Sequence, residues 1–348
     1  MLRRIFKRRK VEEEPASRIT TDTIGEHREN VLAQGRKFKY PLQYVKYKLV
    51  INTILISITA IIIVILFSWF YLYKFQGSGN IVYRVTRFIP LPVASIDGQK
   101  VLYSDYLMRY RSDIAYINHW EGKLGSDDDS KRKMTYYKRE AMNYAQVSSY
   151  AIKLANEYGI VIDESRIDEV YNEHRLYQGT EISENSYNRM INESYGLSKV
   201  EYKRMIEIML IRQEVQARID ETAKATTEEL SAKLKRDGSN FESVAEEYAG
   251  RIITESSGEP VSITNIDGGR AAVANKLESG TISEPFLARN GSGYYFVKLV
   301  SRSEGKVEYL SISVPFTELE SRVEYLRAEC KIREYIKIDD QSSAACKK

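Results

Sequence analysis

Residues 281–300 read TISEPFLARNGSGYYFVKLV, and they decide the fold class, because a glycine-punctuated, β-branched and aromatic texture here follows a long stretch of helical periodicity. Glycines at 258, 268, 269, 280, 291 and 293 mark off short runs such as PVSITNI (260–266) and YYFVKLV (294–300), the composition of strands joined by tight turns. Just upstream, TTEELSAKLKRDGSNFESVAEEYAG (226–250) has the pattern of two amphipathic helices separated by Asp237 and Gly238. Leu230 and Leu234 form the apolar face of the first, and Phe241, Val244, Ala245 and Tyr248 that of the second. Downstream, SRSEGK turns the chain into KVEYLSISV (306–314), and Thr317 with Glu320 predicts a capping box opening a helix to about Cys330. KIREYIKI (331–338) is compatible with a last strand, and the polar end 340–348 is expected to be disordered. The class is α+β, with an antiparallel sheet.

Further upstream the spacing is helical. QGSGN (76–80) reads as a flexible spacer and 81–96 as extended chain with alternating apolar positions. Asp97-Gly98 is a two-residue hairpin signal, after which Ser104 is placed to cap a helix carrying Tyr106, Tyr110, Ile114 and Ile117. GKLGSDDDSK (122–131) interrupts it, and a second helix over about 132–158 ends at Gly159. Asp163 opens a short helix through His174, and another over about 183–195 ends at Gly196. Ser198 then caps a helix to about Ile219, whose wide apolar face includes Tyr202, Met205, Ile206, Met209 and Leu210.

The first quarter of the chain points to a membrane. LVINTILISITAIIIVILFSWFYLY (49–73) carries no charge and is long enough, at about 1.5 Å per residue, to cross a hydrocarbon layer of about 30 Å as a helix. Trp69, Tyr71, Tyr73 and Lys74 follow as an interfacial belt. Of 52 basic and 48 acidic residues, 13 and 6 fall in 1–48, which leaves 39 and 42 beyond and makes the tail +7 and the remainder −3. That asymmetry, with the cluster Arg3, Arg4, Lys7, Arg8, Arg9 and Lys10, predicts a single-pass protein of the cell membrane with a cytoplasmic N-terminus and extracytoplasmic C-terminal domains. The acidic outer part excludes a nucleic-acid footprint.

Other chemistries find no support. Histidines occur only at 27, 119 and 174 and cysteines only at 330 and 346, so neither a metal site, nor a cofactor, nor a disulfide framework is expected. No dinucleotide, phosphate-loop or nucleophile-elbow pattern occurs. Asp127–Asp129 and Glu246–Glu247 read as solvated loop and helix face, since no bracketing ligands accompany them.

VASIDGQKVLYSDYLMRY (93–110), LANEYGIVIDESRIDEVY (154–171) and ESYGLSKVEYKRMIEIMLIRQEVQARI (193–219) together resemble the N-terminal chaperone domain of SurA, PpiD and PrsA-type foldases, over about 94–220. DGSNFESVAEEYAG (237–250) and LESGTISEPFLARNGSGYYFVKLV (277–300) are similar to the parvulin-type rotamase domain, with Gly280, Ile282, Ser283, Pro285, Gly293, Tyr294, Val297 and Lys298 on its pattern. The resemblance implies this organisation: cytoplasmic tail 1–48, transmembrane helix 49–73, chaperone domain 81–220, parvulin-like domain 224–315, C-terminal helix and strand 316–339, and tail 340–348. It also exposes departures. Parvulins use two histidines and a Met-x-x-x-Phe segment; here Tyr295 stands at the second histidine, GGRAAVANKL (268–277) replaces the segment, and the strand bearing the first histidine, due before Thr226, is missing. A strand at 307–314, antiparallel to 294–300, would fill the vacant slot, because an unpaired strand edge inside a sheet strands buried amides.

Three functions follow. One is a chaperone holding unfolded or newly exported polypeptides through Phe241, Phe286, Tyr294, Tyr295, Tyr202, Met205 and Met209, with a weak or inactive isomerase domain; the alternative for each of the helical residues is ordinary core packing. A second is an active peptidyl-prolyl isomerase, with Tyr295 or Ser283 as the hydrogen-bonding catalytic group. A third is a non-catalytic scaffold for one envelope partner.

Overall fold

The computed structural model describes residues 21–39, 42–177, 180–237 and 241–338. The basic cluster at 3–10, the Gly238 break and the tail from 340 lie outside them. The chain divides into two compact units, one up to Trp69 and one from Phe70 onward.

In the first unit, α1 (Thr21–Lys39) precedes α2 (Leu42–Tyr73). Within α2 the stretch Tyr47–Tyr73 is 27 residues long and apolar enough to cross a membrane; Leu72, near its end, is buried in the core of the second unit. Its two threonines are internally satisfied: the Thr53 and Thr59 hydroxyls donate to the Leu49 and Leu55 carbonyls at 2.8 Å.

The second unit opens with α3 (Asn80–Phe88). This corrects the extended reading of 81–96: Tyr83 and Thr86 are buried three residues apart, a helical interval, and only Pro92–Ile96 (β1) is strand. The spacer before it is also corrected. Gln76 donates to the Lys337 carbonyl and accepts from Lys138, so the segment is pinned. β1 pairs through a hairpin with β2 (Gln99–Leu102), and Asp97 and Gly98 both take positive φ, at 46° and 80°, as a type I′ turn requires.

A helical body follows: α4 (Tyr103–Trp120), α5 (Asp128–Tyr158), α6 (Glu164–Glu173), a short hairpin β3 (Leu176–Tyr177) and β4 (Thr180–Glu181), α7 (Glu184–Tyr195) and α8 (Lys199–Ile219). α4 begins one residue before Ser104, so the expected serine cap does not form. The caps Asp127, Ser183 and Ser198 do accept first-turn amides, and Ser198 with Glu201 makes a full capping box. Gly159 and Gly196 end their helices in the left-handed conformation.

α9 (Glu221–Asp237) starts directly after α8, with no linker. It leads through α10 (Phe241–Glu247), β5 (Ile253–Ser256), β6 (Val261–Ser262), α11 (Arg270–Ala274) and β7 (Phe286–Leu287) to the long hairpin β8 (Gly293–Ser303) and β9 (Lys306–Pro315). The sheet order is β5-β9-β8-β7, with β6 also on β9. The strand expected at 307–314 thus pairs with 294–300, from Tyr294 opposite Val314 to Arg302 opposite Val307, and lies inside the sheet. Gly293 fits that pairing because a Cβ there would collide with the Val314 carbonyl.

The chain then returns to the helical body as α12 (Glu318–Ala328) and β10 (Ile332–Glu334), which pairs antiparallel with β1. Glu334 reaches inward to Arg139 at 2.6 Å and Gln146 at 2.8 Å, and both partners are buried on α5.

The predicted Thr317–Glu320 capping box is replaced by a long-range cap. Thr317 makes no side-chain cap bond; the amides of Thr317 and Glu318 donate instead to Asp220 Oδ2 at 2.8 and 3.1 Å, while Asp220 Oδ1 accepts from Ala223 N at 2.9 Å. One buried carboxylate therefore caps α9 and α12 at the point where α8 ends. Asp220→Ala strands three amide donors, so a loss of about 2–4 kcal/mol in urea unfolding is expected, and Asp220→Asn should recover only part of it.

Candidate functional site

Two adjoining cavities of about 450 and 420 Å³ lie between the helical body and the sheet-bearing part of the second unit, and His174, Met209 and Asn290 line both. Periodicity on α8 explains one wall: Tyr202, Met205, Ile206 and Met209 share a helix face. The facing wall comes from the β7–β8 turn, Asn290 to Ser292, and from the segment between β6 and α11, including Ile263, Ile266, Gly268 and Gly269. The turn is held against α8 by the Gln213 amide donating to the Ala288 carbonyl at 2.8 Å, and against α6 by Arg289 paired with Glu173 at 2.8 Å. Arg109, Arg212 and Glu320 rim the first cavity, with Arg212 and Glu320 3.1 Å apart and both guanidinium groups within 5.3 Å of the Tyr144 ring centre.

At the groove wall His174 Nδ1 lies 3.0 Å from the Tyr202 hydroxyl, to which Tyr187 donates at 3.2 Å. Burial depresses the His174 pKa below its ordinary value and raises those of Tyr187 and Tyr202, so the cluster is uncharged at neutral pH.

The predicted contact residues separate into three environments. Tyr202, Met205 and Met209 converge on the groove. Phe241 is core, packed with Leu230, Leu234, Val244 and Phe296 beneath α9 and α10. Tyr294 and Tyr295, neighbours on β8, point to opposite sheet faces: Tyr294 meets Phe316 with ring centres 5.2 Å apart, whereas Tyr295 meets Phe286 at 5.9 Å on the α11 side. The structure therefore does not gather Phe241, Phe286, Tyr294 and Tyr295 into one groove.

Neither sequence-predicted catalytic group stands free. The Ser283 hydroxyl accepts from Val297 N at 3.0 Å while Ser283 N donates to the Val297 carbonyl at 2.8 Å, which ties this segment to β8. The buried Tyr295 hydroxyl lies 3.0 Å from Ser292 Oγ, and Arg270 sits over its ring at 5.0 Å. Arg270 organises that sheet face: it pairs with Glu255, donates to Ser311 Oγ at 3.2 Å and to the Asp267 carbonyl at 2.8 Å, while Tyr309 donates to Asp267 Oδ2 at 2.7 Å. Burial, reinforced by that bond to Asp267, raises the Tyr309 pKa. These groups are mutually satisfied. Among the described residues no cluster of His, Cys, Asp or Glu could hold a metal.

Sequence reading missed His174, Asn290 and Arg289 as groove residues and Arg270 as the hub of the sheet face. A lone histidine at a helix end and an arginine within GGRAAVANKL carry no spacing signal; only tertiary pairing brings them into place.

A family model for the SurA-like N-terminal domain matches residues 44–216, and one for the PPIC-type PPIase domain matches 208–301. The second match ends before β9. No curated protein and no solved structure matches the chain.

Because His174 is held below its unfolded pKa of about 6.5, unfolded chains bind the extra proton first and stability falls as pH drops through that value. Urea unfolding from pH 7.5 to 5 should show this loss, and His174→Gln should flatten it.

Proposed function

Starting from a chain that is a foldase of the SurA/PpiD/PrsA type, we propose that it is a membrane-anchored extracytoplasmic chaperone whose isomerase domain is weak or inactive. The observation that carries this reading is the groove on α8, where Met205, Met209 and Tyr202 offer a polarizable apolar wall beside hydrogen-bonding groups of the β7–β8 turn. Methionine and tyrosine adapt to varied apolar side chains, and peptide amides find partners in Asn290 and the exposed backbone nearby. Unfolded or newly exported polypeptides are the substrate class.

Placement outside the cytoplasm is supported by two features. α2 is long and apolar enough to span, and the basic residues of the sequence cluster before it. The domain scheme we adopt is a tail to 48, a chaperone domain over 81–220 joined by 316–339, and a parvulin-like domain over 224–315.

Weak isomerase activity follows from the sheet face, where Arg270, Glu255, Ser311, Asp267 and Tyr309 are locked into one another instead of leaving donors for a twisted prolyl carbonyl. The rotamase match favours the second reading, an active isomerase, and a proline tetrapeptide assay separates the two: at micromolar protein no acceleration is expected, and clear acceleration would establish the second.

Holding activity should localise to the groove. Met205→Ser with Met209→Ser is expected to weaken suppression of aggregation of an unfolded model protein several-fold, and Asn290→Trp, which fills the groove without removing core contacts, should do the same at unchanged melting temperature. Undiminished suppression in both variants would place client binding elsewhere, and binding of one folded partner alone would favour a scaffold.

A further inference from the structure

The amphipathic helix α3 carries a face that the protein leaves uncovered. Its inner side, Tyr83 and Thr86, is buried on the body. Its outer side presents Ile81, Val85 and Phe88 at 80%, 42% and 88% exposure, spaced i, i+4 and i+7 and so aligned on one stripe. Ile89 and Phe75, at 52% and 67%, extend the apolar surface beyond both ends, and Lys74 and Arg84 stand beside it as exposed cations, while Arg87 pairs with Glu201 at 3.5 Å. Such a helix, apolar outward and flanked by basic residues, has the make-up of one that lies in a lipid interface.

Covalent tethering selects that occupant. Six residues join Tyr73, the end of α2, to Asn80, and even fully extended they reach only about 20 Å. The helix is therefore confined near the end of the span at any angle between them. Its anchorage is firm, since Arg111 binds both the Ser78 carbonyl and Asn80 and its guanidinium lies 4.8 Å from the Tyr83 ring centre. Cations beside the stripe suit phosphate headgroups, in particular anionic ones.

We infer that α3 is an interfacial helix, embedding Ile81, Val85 and Phe88 in the outer leaflet and docking the folded body on the bilayer surface. The inference rests on the membrane-anchored reading. It makes the span a tether and α3 a second foothold, so that the body is held close to the surface.

Two tryptophan-edited forms of the full chain test this in phosphatidylcholine–phosphatidylglycerol vesicles containing lipids brominated high on the acyl chain. Trp120→Phe leaves Trp69 as the only indole and reports insertion of the span. Trp69→Phe, Trp120→Phe and Phe88→Trp together place the only indole on α3. Both forms are expected to lose about half their emission or more, the α3 form with a blue shift, because an interfacial helix sits about 5–10 Å into the headgroup–acyl boundary. Quenching of Trp69 with unquenched emission from the α3 indole overturns the inference and leaves the anchor standing, whether that emission is water-like or blue-shifted by a second protein surface. Quenching of neither removes the anchor, and the inference with it.

Discussion

One carboxylate governs how the second unit is joined. Asp220 sits where α8 ends, and its carboxylate starts α9 and, across nearly a hundred residues, α12, by accepting the amides of Ala223, Thr317 and Glu318. Helix starts are intrinsically deficient in acceptors, and a negative charge at two of them is favoured by both dipoles. The direction of α8 is thereby fixed relative to α12 and to the sheet segment that precedes it. The groove depends on this geometry, since its walls are α8 on one side and, on the other, residues hung between α9 and α12.

The sheet solves a topological problem in the same economical way. A strand that the parvulin pattern supplies before its first helix is absent, yet the order β5-β9-β8-β7 has no gap, because the strand after the last one folds back into the interior position. Only a tight reversal at Gly305 is needed. The strand in that slot brings Ser311 and Tyr309 to face Arg270, a self-satisfied salt-bridged surface. The apolar groove beside α8 offers the adaptable contact surface.

Much of the architecture was legible where one residue type answers one local demand. Ser198 with Glu201, the left-handed Gly159 and Gly196, and Asp97-Gly98 each leave little freedom to the backbone, and the elements they delimit lie where expected. Failures came where local pattern and tertiary burial disagree. Ile81, Val82 and Val85 favour a strand by β-branching, but burial of Tyr83 and Thr86 on one side makes the segment a helix. Thr317 has the right neighbours for a capping box, but Asp220, distant in sequence, takes its role. At the site, α8 could be read from its periodicity, whereas adjacency of Tyr294 and Tyr295 misled, since neighbours on a strand diverge. The facing wall and the Arg270 hub were invisible because nothing in one stretch of chain encodes its partner in another.

The pairing of β10 with β1 has a bearing on biogenesis. Gln76 and Lys337, 261 residues apart, touch, as do Val93 and Tyr335, so the helical body shuts only after residues 335–337 have become available. Contacts of such separation form late and slowly, because loop closure must precede their reward. Until residues 332–338 have been delivered, β1 waits unpaired on one side, and closure of the helical body is timed by the arrival of that segment.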